Sequence, residues 1–144
     1  MHSYTVKDDE VKILISHSNK QPIYEQISFQ IKEQIINGEL EAGELLPSIR
    51  NLAKELHVSV ITTKRAYEEL ERDGFIHTVP GKGTFVAPQS LKSIEAKKYE
   101  LLDGDLLNII NKSKVLNISK EELIRRINII YVEGDRDGNN FRNR

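Results

Sequence analysis

Isoleucine returns every four residues at Ile23, Ile27, Ile31 and Ile35, which draws one apolar stripe along a helix that starts at Pro22 and closes at Gly38. Ahead of it, VKILISH (Val11 to His17) is a short apolar run of strand type, and NKQP is a turn. A connector rich in glycine and acids, GELEAGELLPS, leads into a second helix. Ser48 is its N-cap, and Ile49, Leu52, Ala53 and Leu56 fall at i, i+3, i+4 and i+7. His57-Val58 leaves room only for a tight turn before Ser59 caps a third helix, which ends at Glu71-Arg72-Asp73-Gly74. FIHTV and TFVA then flank a glycine-bearing turn, which predicts a hairpin. Helix, helix, tight turn, helix and hairpin in this order make a winged helix-turn-helix.

Beyond Pro88 the composition shifts. Leu91, Ile94, Leu101, Leu102, Leu106, Ile109 and Ile110 return at helical spacing, and Gly104 weakens that helix without forbidding it. Asn117 suits a left-handed cap, and Ser119 with Glu122 forms a capping box for a last helix carrying Leu123, Ile127 and Ile130. The predicted class is mainly α with a small β wing: a winged domain over residues 11–88, a two-helix module over 89–133, and flexible tails at 1–10 and 134–144. The ten apolar positions of the module exceed what two lone helices hide in each other. A second copy of the chain is the expected cover, the alternative being packing on the winged domain of the same chain.

The third helix opens on Val60, Ile61, Thr62 and Thr63, four β-branched residues that do little for helix stability. On a helical wheel Thr63, Ala66, Tyr67 and Leu70 share the core side. Ile61 and Arg65 lie opposite, Thr62 and Lys64 flank them, and Val60 sits nearer the core edge. A lone exposed aliphatic is common on surfaces, but here a helix and a tight turn precede it. The DNA major groove offers what such a face lacks: thymine methyls for Ile61, guanine edges for Lys64 or Arg65, and phosphates for Thr62. Net charge over the whole chain is −1 and decides nothing. Locally, residues 47–65 hold Arg50, Lys54, Lys64 and Arg65 against Glu55 alone. The hairpin turn, Pro80, Gly81, Lys82 and Gly83, adds a cation on a backbone slim enough to enter a groove.

Other chemistries find little support. Cysteine is absent, so disulfides, thiolate metal sites and a cysteine nucleophile are excluded. His2, His17, His57 and His77 show no ligand spacing, and no Ser/His/Asp set or carboxylate pair stands out. The wing turn lacks the GxxxxGK[ST] of a phosphate loop. No apolar run nears the roughly 20 residues of a membrane span, and MHSYTVKDDE is no secretory leader. The expectation is a cytoplasmic protein without metal or cofactor, and not an enzyme.

From Pro22 to Ala87, nearly half the chain, the sequence resembles the DNA-binding domain of the GntR family of bacterial transcription regulators. Three motifs carry the likeness together: GxLxxGxxLPSxRxLA, DGFI and GKGTFV. The resemblance implies that the PSxR segment, with Ser48 and Arg50, meets DNA at the start of the second helix. It further implies that the front of the third helix, Ser59 to Lys64, reads the groove, and that Gly81 enters the minor groove. Many members carry Arg or another polar residue just after the cap; Val60 and Ile61 stand there in this chain and favour methyl contacts. Residues 88–144 are too few for the larger effector domains of the family and resemble the YtrA-type module, which mainly dimerises. The expected protein is a repressor that binds an inverted-repeat operator in double-stranded DNA as a homodimer, with ABC-type transporter genes as the implied target. The alternative is a winged-helix module whose exposed helix binds protein; an acidic recognition face would have favoured it, and Arg50, Lys64 and Arg65 oppose it.

Overall fold

The structure, a computed structural model, describes residues 2–6 and 11–136. In chain order the elements are β1 (His2–Val6), β2 (Val11–Ile15), α1 (Ile23–Ile36), α2 (Ile49–Leu56), α3 (Val60–Arg72), β3 (Ile76–Val79), β4 (Gly83–Val86), α4 (Leu91–Val115) and α5 (Lys120–Arg136). The chain divides into two compact units, residues 1–97 and 98–144.

In the first unit α1, α2 and α3 enclose one core. Ile27, Ile31 and Ile35 of α1 meet Leu52 and Leu56 of α2, Ala66, Tyr67 and Leu70 of α3, and Val86 of the hairpin. β2 alternates strictly, with Val11, Ile13 and Ile15 inward and Lys12 and Leu14 outward. Its backbone is held in an unusual way. Gln26, Gln30 and Gln34 of α1 each use both ends of the side-chain amide on one β2-side residue. Gln30 donates to the Leu14 carbonyl and accepts from its N–H, both at 2.8 Å. Gln26 does the same with Ser16 at 2.9 Å, and Gln34 with Lys12 at 2.8 and 3.3 Å. Four helical residues rise about 6 Å and two strand residues about 6.6 Å, so the glutamine ladder stands in for a neighbouring strand.

Three expectations need correction. His2–Val6, predicted as part of a flexible lead, pairs antiparallel with β2 in the register His2↔Ile15 to Val6↔Val11. β2 has only the glutamines on one side, so its other edge offers unpaired backbone groups that a strand satisfies. α5 likewise continues through Gly134 to Arg136; one glycine, worth about 1 kcal/mol, does not stop an established helix. The rest of the predicted tails, residue 1, 7–10 and 137–144, lies outside the described residues. The units also part later than the composition shift at 88, because the first turns of α4 belong to the winged domain. Lys97 Nζ donates to the Gly74 carbonyl at 3.1 Å, bonds Gln89 Oε1, and lies 4.4 Å from the centre of the Phe75 ring.

In the second unit α4 runs unbroken through Gly104. Asn117 takes the left-handed conformation at the turn (φ 59°), and Ser119 Oγ accepts from the Glu122 N–H at 3.1 Å. The reciprocal half of the capping box is not made. Glu122 pairs with Arg125 at 2.7 Å instead, which holds its carboxyl below the usual range. The two helices do not close on each other: an apolar slot of about 390 Å³ opens between them, lined by Leu106, Ile110, Leu123, Ile124 and Ile127 among others.

Candidate nucleic-acid interface

Local sequence sets the turn between α2 and α3. The Val58 N–H returns to the Ala53 carbonyl at 3.0 Å and the His57 N–H to Lys54 at 3.3 Å, with His57 left-handed at φ 57°. Ser59 then caps α3, accepting from the Thr62 N–H at 3.0 Å and donating to Thr62 Oγ1 at 2.7 Å. Thr63 Oγ1 donates to the Ser59 carbonyl at 3.1 Å, which seals the buried side of the same turn. A second tie comes from Tyr67, whose hydroxyl donates to the Pro47 carbonyl at 2.7 Å. Burial pushes that phenol far above its ordinary value, so it remains a donor. Pro47 directly precedes the Ser48 cap, which accepts from the Asn51 N–H at 3.1 Å, and Arg50 follows in the first turn of α2.

The faces of α3 are as the wheel predicts. Thr63, Ala66, Tyr67 and Leu70 are buried, while Ile61 is 81% exposed beside exposed Val60 and Lys64. Among the described residues neither Arg50 nor Lys64 is in an ion pair. Arg65 is exposed too, but its guanidinium lies on the ring of Tyr24, 3.9 Å from the centroid. Thr62, taken as a phosphate contact, spends part of its hydroxyl on the Ser59 cap. Two of the acids behind this face are held inward, Glu69 and Asp73 flanking the buried Lys32 ammonium at 3.6 and 3.1 Å, while Glu68 and Glu71 are exposed.

The wing is tied to the same frame. β3 and β4 pair from Ile76↔Val86 to Val79↔Gly83, and the Lys82 N–H closes the turn on Val79 O at 2.9 Å. β4 also pairs with the connector ahead of α2: the Leu46 N–H donates to Thr84 O at 2.8 Å and the Gly43 N–H to Val86 O at 2.8 Å. Leu46 is followed by Pro47 and Ser48, so the wing and the start of α2 share one scaffold. Pro80, Gly81 and Lys82 at its tip are exposed. Gly83 has φ 130°, a backbone conformation that L side chains rarely adopt, so any other residue at the wing base is strained, and its Cβ would also push Leu45 Cδ1 aside from 2.8 Å.

Ser48, Arg50, Ser59, Val60, Ile61, Thr62 and Lys64 thus come from one helix-turn-helix, with Pro80 to Gly83 on a hairpin bonded to its approach. Tyr24 and the inner ties of Tyr67 and Thr63 escaped the hydrophobic pattern. The helical wheel marks Tyr67 as core but says nothing of where its hydroxyl goes, and Tyr24 reads as one more stripe neighbour. Among the described residues no group of His, Asp or Glu gathers to hold a metal ion, and no helix is long and apolar enough to cross a membrane.

Fold and surface together define a winged helix-turn-helix DNA-binding domain. The model of bacterial regulatory proteins of the gntR family matches residues 23–86, within a residue at each end of the stretch on which the motifs fall. Over 111 residues the chain is 33% identical to the HTH-type transcriptional repressor YtrA of Bacillus subtilis (strain 168), covering 77% of this chain and 85% of that one. Identity to the HTH-type transcriptional regulator YhcF of the same organism is 34% over 116 residues, 81% of this chain and 94% of YhcF. A GntR family transcriptional regulator from Listeria monocytogenes superposes with a TM-score of 0.63 at 35% identity, covering 76% of this chain and 96% of that one. The chain belongs to the GntR family, with relatives of the YtrA type along most of its length, and is a transcription regulator carrying the family's DNA-binding domain.

Proposed function

We propose that this regulator is a repressor that binds an inverted-repeat operator as a homodimer, with α3 in the major groove and the wing in the minor groove. One observation carries the reading: Ile61, 81% exposed at the front of α3, is flanked by Lys64 and preceded by Arg50, and among the described residues no ion pair holds either cation. An aliphatic tip between free cations matches a thymine methyl between phosphates. Similarity to the transcriptional repressor YtrA supports the sign of regulation. Homodimerisation is supported by the apolar faces that α4 and α5 leave open. ABC-type transporter genes as targets, and action in the cytoplasm, rest on the family resemblance.

The test is a titration of operator duplex at fixed salt with Arg50→Ala and Lys64→Ala. Each should weaken binding by about 1–3 kcal/mol if it reaches a base edge, without changing the melting temperature. Two variants that bind like the parent would contradict the assigned face.

A further inference from the structure

The stack of Arg65 on Tyr24 joins α3 to α1 at the flank of the recognition face. Tyr24 is the second residue of α1, half-buried against the core. Its ring therefore has a fixed orientation, while Arg65 reaches it from one turn beyond Ile61. The 3.9 Å separation is a face-on cation–π contact. Such a contact immobilises the guanidinium plane and leaves its N–H edges for an acceptor.

Among the described residues no carboxylate pairs with them. Two neighbouring carboxylates are engaged elsewhere: Glu25 accepts from the Tyr24 hydroxyl at 3.2 Å, and Glu69 accepts from Ser28 at 3.1 Å while flanking Lys32; Glu68, on the same cleft, is exposed and makes no ion pair with Arg65. Arg72, on the same cleft, pairs with Asp73 at 3.5 Å. Among the described residues Arg65 is in no ion pair. A pinned, planar, unpaired cation on the DNA-facing helix has the geometry to take two oxygens of one phosphate.

We propose that Tyr24 is a positioning residue of the DNA interface, holding Arg65 for a backbone phosphate at the flank of each half-site. This rests on the DNA-binding reading above. Arg65 then contributes affinity without sequence information, and Tyr24 contributes only through it.

Four variants test this by operator titration across a range of salt. Arg65→Ala should weaken binding about tenfold, the scale of one charge-assisted hydrogen bond, and equally on operators with altered bases. Its log–log salt slope should fall by about 0.9, the loss of one phosphate contact. Tyr24→Leu, which keeps apolar bulk without the aromatic face, should match it. Tyr24→Phe should bind like the parent, and the Y24L/R65A double variant should be no weaker than R65A alone. Additive losses in the double variant, or R65A binding like the parent, would overturn the proposal. If Y24L melts below the assay temperature, Arg65→Lys replaces it: the charge without the planar stack should lose most of the affinity, and full retention would overturn the proposal equally. A parent protein without duplex affinity removes this proposal together with the DNA reading. A parent weakened by K64A but not by R65A removes this one alone.

Discussion

Ile31, Leu56 and Leu70 of the winged domain are sealed from solvent, whereas Leu107 and Tyr131 of the C-terminal module stand 58% and 62% exposed. The two regions are built from similar apolar residues, so composition does not explain the difference. In the winged domain, helices cross and a strand and a hairpin cover the remaining sides, and every stripe finds a partner within the unit. In the module two long helices join at a turn and leave an apolar slot between them. Exposed apolar patches of this kind mark interaction surfaces, which is why a second copy is the proposed cover. The contrast fits the separate duties proposed above: the first region closes its own core and presents the recognition face around Ile61, while the second keeps an apolar surface for a second copy of the chain.

Truncation has the largest expected effect. A fragment ending at Lys97 keeps the whole first unit, including the Lys97 ties to Gly74 and Gln89. It should melt cooperatively, sediment as a monomer, and lose about 10² to 10⁴ in operator affinity because its half-sites bind untethered. A dimeric fragment, or one of undiminished affinity, would break the division of duties.

Paired substitutions sharpen it. Leu70→Ala empties a fully buried site and should lower unfolding free energy by about 2–5 kcal/mol, at any protein concentration. Leu107→Ala removes an exposed side chain; its effect should appear as a dissociation constant raised several-fold in sedimentation equilibrium. Equal effects on the two measurements would erase the distinction. Within the winged domain, Gln30→Ala strips Leu14 of two hydrogen bonds and should destabilise by about 1–3 kcal/mol, read by denaturant titration.

The pattern of the chain disclosed what is local. Caps at Ser48 and Ser59, the left-handed Asn117 and the faces of α3 follow from spacing within a few residues. What it did not disclose depends on residues distant in sequence. Glutamines at 26, 30 and 34 look like the solvated side of α1 until β2 arrives beside them. Lys32 reads as surface, yet Glu69, Asp73 and Phe75 enclose it. Arg65 sits on the outward face as the wheel demands, but its direction is set by Tyr24, some forty residues earlier. In the module, spacing picked out Leu102, Ile109 and Ile130 while passing over Leu107, Leu116 and Tyr131. The apolar surface there is wider than one stripe.

The smallest expected effect concerns Ile61. Its side chain faces solvent, so Ile61→Ala should move stability by no more than about 0.5 kcal/mol, checked by thermal melting, while changing base preference at one position of each half-site. A loss of several kcal/mol would mean that the exposed face of α3 has been misassigned.

Both regions are probed together by selecting bound sequences from random duplex DNA with the full chain. Enrichment of a two-fold symmetric site is expected, its half-sites about one helical turn or roughly 34 Å apart, with a thymine-bearing position in each. Enrichment of a single unrepeated half-site would contradict the dimer, and no enrichment at all would contradict the recognition face itself.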